Sequence, residues 1–286
     1  MQYTRYFLGL IAGQHMDCET LEPGITLLPP SAAERYLNLT VLGHGGMGST
    51  FKAWDEEEKE WVAIKMIRSD LALKSSVRNR FRREALLLSQ IDHPTIVRLK
   101  EIFEEDNVIF FTMELVPGRA LDSVLHDRLL APRHYVELFS HLAEGIEHLH
   151  HKGIVHRDIK PANIILSEGE PKLVDFGTAR PGTEEILTKL TEEGALVGTL
   201  VYMPPEAIAQ ESYTKQCDIY QLGVSLYQCL TGKLPFTPPQ LAGIASGEQV
   251  SVPLPPSQHN EIIDAELDLL VMRTMAPQPK ERFETI

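Results

Sequence analysis

The stretch "HRDIKPANIIL", residues 156–166, determines how the rest of this sequence is interpreted. Its aspartate, Asp158, can accept the proton of an attacking hydroxyl group, and Asn163, five residues later, can bind a metal ion through its amide oxygen. Twelve residues after Asn163 comes "DFG", in which the carboxylate of Asp175 can chelate Mg²⁺ that bridges phosphate groups. Each motif alone could occur by chance. Together they predict phosphoryl transfer, which needs alignment and charge neutralisation more than covalent help.

Upstream, "LGHGGMGST", residues 42–50, has glycines in the spacing G-x-G-x-x-G. Dinucleotide-binding folds use this spacing before a helix, with an acid about 20 residues later, and Asp70 could be that acid. However, only about a dozen residues separate Gly48 from the next strand-like run at Trp61, and the intervening "STFKAWD" is typical of a strand. The spacing alone is weak evidence. The other motifs decide in favour of a flap over the phosphates of ATP.

The motif "VAIK" places Lys65 on the following strand-like run, flanked by apolar residues. An ammonium group on a largely buried strand requires an acidic partner. The natural candidate is Glu84 in "RFRREALLL", on the one helix predicted in this part of the chain. This ion pair would direct the lysine towards the α- and β-phosphates of ATP.

Composition indicates an ordinary globular protein. The chain is 43% hydrophobic and 23% charged, and its 286 residues are enough for one large domain or two lobes. The net charge of −13 argues against nucleic-acid binding. Cys18, Cys217 and Cys229 form no CxxC pair, which favours reduced thiols in a cytoplasmic protein. No apolar run approaches the roughly 18 residues that span a bilayer.

The chain changes character once. From residue 35 to about 116, short β-type runs surround one helical stretch, "SSVRNRFRREALLLSQI", in which Phe81, Ala85 and Leu88 mark a buried face. From about residue 119, helical patterns dominate, and "HYVELFSHLAEGIEHLHHKG" and "DIYQLGVSLYQCLTG" both end in glycine. Residues 1–33, with two prolines near their end, predict an extension or linker.

These motifs, with a "PPE" further on, resemble the eukaryotic-like serine/threonine protein kinases of bacteria over about residues 36–286. The resemblance implies an α+β, two-lobed protein kinase fold. Residues 34–116 would form a small antiparallel β-sheet lobe with one main helix. Residues 117–286 would form a larger, mainly helical lobe whose last helix is cut short.

The same resemblance implies ATP and Mg²⁺, with Mn²⁺ as a substitute, and protein substrates. We expect no nucleic-acid partner and no membrane contact by this segment. A homodimer of kinase domains, and an intact protein that continues to a membrane anchor, are both compatible with the sequence.

The resemblance also assigns a nucleotide pocket. Met113 would gate its back, the backbone of Glu114 and Val116 would bind adenine, and Leu42, Ala63 and Ile165 would enclose the ring. Thr50 stands where the family usually has valine, and its β-branched side chain should still cover adenine. The complete expected set is Leu42, Gly43, His44, Gly45, Gly46, Met47, Gly48, Thr50, Ala63, Lys65, Met113, Glu114, Val116 and Ile165.

Further roles follow from the resemblance alone. Lys160 would neutralise the γ-phosphate and is typical of kinases that act on serine and threonine, and Thr199 would contact both Lys160 and Asp158. Asp218 would brace the catalytic loop from beneath. Glu206 and Arg282 would form an ion pair that ties the activation segment, residues 175–206, to the large lobe. At the end of this segment, "PPE" replaces the usual "APE".

Regulation is expected at the activation segment. In kinases of this pattern, Arg157 receives a phosphate from that segment, and a phosphothreonine can pair bidentately with arginine. Among Thr183, Thr188 and Thr191, the last lies where related kinases autophosphorylate. We therefore expect Thr191 to be the main autophosphorylation site.

Two alternatives to an active serine/threonine protein kinase remain. A pseudokinase scaffold would lack at least one of four groups, all present here: Lys65, Asp158, Asn163 and Asp175. A small-molecule kinase of the antibiotic-modifying type typically has glycine in place of Arg157 and lacks the PPE segment.

Overall fold

A computed structural model describes residues 28–45, 48–105, 108–127, 130–176, 199–208, 213–245, 248 and 251–286. Among these residues, no helix combines the length and the hydrophobicity that crossing a bilayer requires.

The first half of the chain forms a five-stranded antiparallel sheet with the strand order β1-β2-β3-β5-β4. Three helices accompany it: a single turn before β1, and two between β3 and β4. The strands are β1 (Tyr36–Gly45), β2 (Gly48–Asp55), β3 (Glu60–Ile67), β4 (Leu99–Glu105) and β5 (Val108–Glu114), and the helices are α1 (Pro30–Ala33), α2 (Ser69–Ala72) and α3 (Ser75–Leu88).

Strand β3 shows how the sheet positions the lysine of VAIK. Val62, Ile64 and Met66 point to one face and join a small core on that side of the sheet. Ala63 and Ile67 alternate with them and join the main core instead. Because side chains alternate along a strand, Lys65 shares the face of Ala63 and Ile67, towards the second half of the chain.

Helix α3 packs as its sequence pattern predicts. Phe81, Ala85 and Leu88 are all almost completely buried, and the Phe81 ring stacks on Phe111 of β5 at a centroid distance of 4.9 Å. The apolar stripe therefore holds the helix against the sheet.

Residues just before the sheet pack more closely than a linker would. Pro30 occupies the first position of α1, where its missing N–H group is not needed. Ala32 is completely buried, and Leu28 belongs to the same small core as Tyr36. The sequence does not reveal this contact, because two prolines indicate a break in regular structure and carry no sign of packing against distant residues.

The second half is mainly helical and contains a small three-stranded sheet in the order β6-β7-β8. Its helices are α4 (Leu121–Asp127), α5 (Pro132–His151), α6 (Pro205–Ile208), α7 (Lys215–Thr231), α8 (Pro238–Ala245) and α9 (Ala265–Thr274), and its strands are β6 (Arg119–Ala120), β7 (Ile164–Ser167) and β8 (Glu170–Leu173). Short 3₁₀ turns lie at Pro161–Asn163, Thr199–Tyr202, Pro256–Gln258 and Pro279–Glu281.

Helix α7 is the centre of this half. It is buried on all sides along most of its length, as expected of a helix without a continuous polar face. It ends at Gly232, which has a left-handed φ of 69°, as its terminal glycine predicts. Both described cysteines, Cys217 and Cys229, lie buried on α7 and form no disulfide with each other, and burial raises the pKa of Cys217 to about 12.

The two halves meet along the segment between α3 and β4. Leu173 of β8 donates its N–H to Thr95 O at 2.7 Å and accepts from Val97 N at 2.9 Å. Gly145 of α5 makes room for this segment, since a Cβ atom there would lie 2.1 Å from Thr95 Oγ1. This junction fixes β8, and the DFG sequence that follows it, relative to the first sheet.

Candidate active site

Lys65 connects the two halves of the chain. Its ammonium group forms an ion pair with Asp175 Oδ1, and only 14% of the lysine side chain is exposed. The acid expected from the sequence, Glu84 on α3, has a side chain that lies outside the part of the structure that is described. The described partner of Lys65 is therefore the aspartate of DFG.

Around Asp158, two side chains bind one carboxylate oxygen. Lys160 Nζ lies 2.9 Å from Asp158 Oδ2, and Asn163 Nδ2 donates to that oxygen at 2.9 Å and to Asp158 O at 2.8 Å. The other oxygen, Asp158 Oδ1, is buried and has no hydrogen-bond partner within the described ranges. This oxygen is therefore available to accept a proton from a bound hydroxyl group.

The DFG aspartate has an unusual backbone. Asp175 has a left-handed φ of 64°, a conformation that costs a non-glycine residue on the order of 1–3 kcal/mol. The next residue, Phe176, is buried against His156, with ring centroids 4.3 Å apart. Burial lowers the pKa of His156, so its ring is neutral at pH 7 and packs as an aromatic group. Lys65, Met113, Asp175 and Phe176 line one cavity together with Leu88 and Leu99.

Asp218 on α7 holds the catalytic loop from below. Its Oδ2 accepts from His156 N at 2.8 Å, and its Oδ1 accepts from Arg157 N at 2.8 Å. His150 Nε2 lies 2.8 Å from Oδ2. These contacts match the bracing role that the resemblance implies for Asp218, and they come from a side chain that is completely buried.

The oxygen atoms of this site fit a hard divalent cation. Asn163 Nδ2 lies within hydrogen-bond distance of three oxygens: Asp158 O, Asp158 Oδ2 and, at 3.4 Å, Asp175 O. These contacts fix the orientation of the amide, so that its Oδ1 points away from these three oxygens. Asp175 contributes carboxylate oxygens. In the parts of the chain that are described, no group of three or more His, Cys, Asp or Glu side chains could hold a metal ion. A cation here would be bound by oxygens of the protein and of the phosphates together, which is the usual coordination of Mg²⁺.

The glycine-rich segment is a hairpin turn between β1 and β2, closed by the pair Gly45 and Gly48. A Cβ atom on Gly48 would lie 1.7 Å from Met66 O, so only glycine allows β2 to approach β3 here. His44 Nδ1 and Ser49 Oγ lie 2.9 Å apart across the turn. Gly46 and Met47, at the tip, lie outside the described residues. This is a β-hairpin, not the strand–helix turn of a dinucleotide fold.

The other expected nucleotide contacts lie on the five-stranded sheet, just after it, or on β7 of the second sheet. Thr50 pairs with Lys65, and Ala63 pairs with the buried Met113. Leu42 is half exposed on β1, Gly43 precedes the turn, Val116 is partly buried after β5, and Ile165 lies on β7 of the helical half.

Glu114, at the end of β5, uses its side chain for contacts within the protein. Its Oε1 accepts from Lys172 Nζ of β8 at 2.6 Å and from Arg98 N at 2.8 Å. A contact with adenine at this position would therefore come from the backbone, which stays a prediction. The side chain instead links β5 to β8 and to Arg98, the residue before β4.

Glu206 and Arg282 form a buried bidentate pair, with Nη1–Oε1 at 2.6 Å and Nη2–Oε2 at 2.8 Å. Of the residues expected around the activation segment, Thr183, Thr188 and Thr191 lie outside the described ranges, as does the Thr199 side chain. Arg157 is described: its Nε is buried and has no hydrogen-bond partner in the described part of the chain.

Sequence reasoning missed two groups under the catalytic loop. Gln221 and Ser225 of α7 are completely buried and hydrogen bond to Arg157 and Ile159. Their spacing from Asp218, three and seven residues along a mainly apolar stretch, was a usable signal because such positions share one helix face.

Comparison with known proteins agrees with this geometry. Residues 36–285 match the protein kinase domain family. The chain is 35% identical over 263 residues to serine/threonine-protein kinase PknB of Mycobacterium leprae, covering 90% of this chain and 42% of that protein. It is also 35% identical over 263 residues to the probable serine/threonine-protein kinase SCO3848 of Streptomyces coelicolor, covering 90% and 39%. The chain thus spans less than half the length of these curated relatives.

The structure of this chain is also similar to that of a solved kinase domain. The kinase domain of Mycobacterium tuberculosis PknI superposes with a TM-score of 0.68, at 24% identity, over 93% of this chain and 95% of that one. The two-lobed α+β fold expected from the sequence is thereby confirmed. The chain belongs to the protein kinase domain family.

Proposed function

We propose that this chain is an ATP-dependent serine/threonine protein kinase that transfers the γ-phosphate of ATP to hydroxyl groups of proteins. One observation carries the proposal: a continuous series of contacts runs from Lys65 through Asp175, Asn163 and Asp158 to Lys160. This series joins the two halves of the chain through two cationic groups, an amide and two carboxylates, and one carboxylate oxygen, Asp158 Oδ1, has no partner among the described residues.

Each of these groups has a chemical task in the transfer. Lys65 orients the α- and β-phosphates. Asp158 Oδ1 takes the proton of the substrate hydroxyl as its oxygen bonds to the γ-phosphorus, and the bond from that phosphorus to the β–γ bridging oxygen breaks to release ADP. Lys160, held 2.9 Å from Asp158 Oδ2, offsets the charge on the γ-phosphate. A positioned base contributes about 10²–10⁴-fold and an aligned charge several kcal/mol of transition-state stabilisation.

We also propose that the cofactor is Mg²⁺, which neutralises phosphate charge during transfer when it is bound. Asn163 Oδ1 and the Asp175 carboxylate would hold it. The hydrogen bonds of Asn163 Nδ2 support this assignment because they keep the amide oxygen free of the loop. Lys65 occupies one oxygen of Asp175 and leaves the other for a ligand role.

The acceptor class follows from Lys160 and from the relatives. A lysine two residues after the base is typical of kinases that act on serine and threonine, and the relatives at 35% identity are named for that activity. The partners are then protein substrates. A homodimer of kinase domains stays a prediction, to be tested by sedimentation across a range of concentrations.

We propose that Thr191 phosphorylation regulates the activity through Arg157. The buried Arg157 Nε, without a partner among the described residues, supports this because a desolvated guanidinium nitrogen favours an anionic acceptor. Glu192 and Glu193 could satisfy part of this requirement before phosphorylation, which predicts appreciable basal activity.

The direct test is transfer from γ-labelled ATP, with generic protein substrates and aminoglycosides as competing acceptors. We expect Mg²⁺-dependent label on the chain itself and on proteins, recovered as phosphoserine and phosphothreonine, and its loss with EDTA. Nucleotide binding without any transfer would indicate a pseudokinase. Label found only on the small molecules would indicate a small-molecule kinase, and either result contradicts the proposal.

A further inference from the structure

Three polar side chains of α7 face the catalytic loop. Asp218, Gln221 and Ser225 are all completely buried, although α7 is otherwise packed with apolar residues. Buried polar groups require hydrogen-bond partners, and all three find them in the loop of residues 156–159. The bracing role implied by the resemblance concerns Asp218 alone. It assigns no function to Gln221 or Ser225.

Gln221 uses both ends of its amide. Its Oε1 accepts from Ile159 N at 3.1 Å, and its Nε2 donates to Arg157 O at 3.1 Å. These two backbone groups flank Asp158, so one side chain spans the residue that would act as base. Ser225 Oγ adds a longer hydrogen bond to Ile159 O at 3.4 Å.

The loop needs such support because its backbone is strained at this point. Arg157 has a left-handed φ of 72°, which a non-glycine residue keeps only where its surroundings determine it. Asp218 holds Arg157 N at 2.8 Å, and Gln221 holds Arg157 O. Helix α7 therefore holds the peptide groups before and after the base, and Asn163 adds a hydrogen bond to the second of them at Asp158 O.

We propose that Gln221 is a positioning residue for Asp158: it fixes the two flanking peptide groups and so holds Oδ1 where a substrate hydroxyl can reach it. This inference rests on the proposed phosphoryl transfer. Small displacements of a reacting group have large effects on rate, since a misplacement of about 1 Å can lower it on the order of a hundredfold. Gln221 is completely buried and is not among the described residues that line the cavity beside Lys65, so we expect its effect on turnover and not on ATP binding.

The test compares Gln221→Met, which removes both hydrogen bonds at similar volume, with the wild-type chain. We expect kcat to fall on the order of 10–100-fold, with KM for ATP changed less than about twofold. Turnover is expressed per nucleotide-binding site, so that loss of folded protein does not imitate loss of positioning. Gln221→Asn, which keeps the amide but shortens its reach, should show a smaller loss and decides the matter if Gln221→Met does not fold.

Tyr227→Phe is the matched control. It removes a side-chain hydrogen bond from the same helix, Tyr227 OH to Leu254 O at 2.9 Å, away from the catalytic loop. We expect its kcat to equal that of the wild type. If the glutamine variants, once folded, also match the wild-type kcat per site, the positioning role is wrong.

Amide hydrogen exchange provides a readout that does not depend on activity. The Ile159 N–H should exchange faster in Gln221→Met than in the wild type, whereas it should be unchanged in Tyr227→Phe. Equal exchange in all three proteins would overturn the inference even if the chain has no kinase activity. Conversely, a wild type that is inactive yet shows the expected exchange difference would contradict the proposed function while leaving the hold on the loop established.

Discussion

Arg282, near the end of the chain, is completely buried and forms a bidentate ion pair with Glu206, whose side chain is 6% exposed. The same guanidinium donates to Ala276 O at 2.7 Å and to Gln216 O at 2.8 Å. It thus joins α6, α7 and the segment after α9 through one side chain. Removal of one partner from such a pair leaves a buried charge without compensation.

We therefore predict that Arg282→Met lowers the free energy of unfolding by about 3–5 kcal/mol. Chemical denaturation of the two proteins measures this difference. Arg119→Ala is the control, since its ion pair with Asp127 is about half exposed and should contribute less than about 1 kcal/mol. Equal effects of the two substitutions would show that the Glu206 pair adds no more than a surface contact.

His156 predicts a pH dependence of stability. Burial lowers its pKa in the folded state, while the unfolded chain has the ordinary value of about 6.5. As the pH falls through that value, the unfolded state binds a proton that the folded state does not. The free energy of unfolding should then decrease by up to about 1.4 kcal/mol per pH unit.

In His156→Phe this contribution is absent, so the loss of stability between about pH 7.5 and 5.5 should be smaller than in the wild type. Urea denaturation at both pH values gives the comparison. The lowered pKa of His93 acts in the same direction in both proteins and cancels. An identical pH dependence in the two proteins would mean that His156 is not buried in its neutral form.

Lys65 allows a sharp test of the nucleotide contacts. Lys65→Met should fold normally and lose transfer activity on the order of a hundredfold or more, because one aligned charge in a dry site is worth several kcal/mol. Lys52→Met is the matched control: this lysine lies on the neighbouring strand with its Nζ 4.1 Å from the Trp61 ring centroid. Near-normal turnover in Lys65→Met would remove the lysine from the mechanism.

Autophosphorylation provides the test of regulation. We expect mass spectrometry after incubation with Mg-ATP to find phosphate on Thr191, and Thr191→Ala to lower activity by a modest factor. Glu193→Ala should add to that loss if the loop acids partly satisfy Arg157. Phosphate found only outside residues 175–206, or full activity in Thr191→Ala, would place the switch elsewhere.

The sequence predicted the fold well where patterns are local. Strand β3 and helix α3 follow from alternation and from the stripe of Phe81, Ala85 and Leu88, because buried faces leave a periodic signal. The turn of α1 was missed, since Leu28 and Ala32 gain their burial from the distant residues of the small sheet. The division into residues 1–33, 34–116 and 117–286 stays a prediction.

In the candidate site, too, local sequence patterns could be recognised, whereas contacts between distant residues could not. Lys65, Asp158, Asn163 and Asp175 could be proposed from their spacing, because phosphoryl transfer restricts the residue types that can serve it, and their roles stay a prediction. The contact of Lys65 with Asp175 could not be predicted, since the two are separated by 110 positions and meet only when the halves pack together. The link from Glu114 to Lys172 across the same junction was missed for that reason.

The most direct test of the central claim is the rate of γ-phosphate transfer by Asp158→Asn at saturating Mg-ATP, measured beside the wild type with a generic protein substrate. Asparagine keeps the size of the side chain and the acceptor for Lys160, but it cannot take up a proton from a hydroxyl group. We predict a rate lower by about 10²–10⁴-fold, with nucleotide affinity and thermal stability close to wild type. A variant that binds nucleotide and transfers phosphate at the wild-type rate would contradict the account.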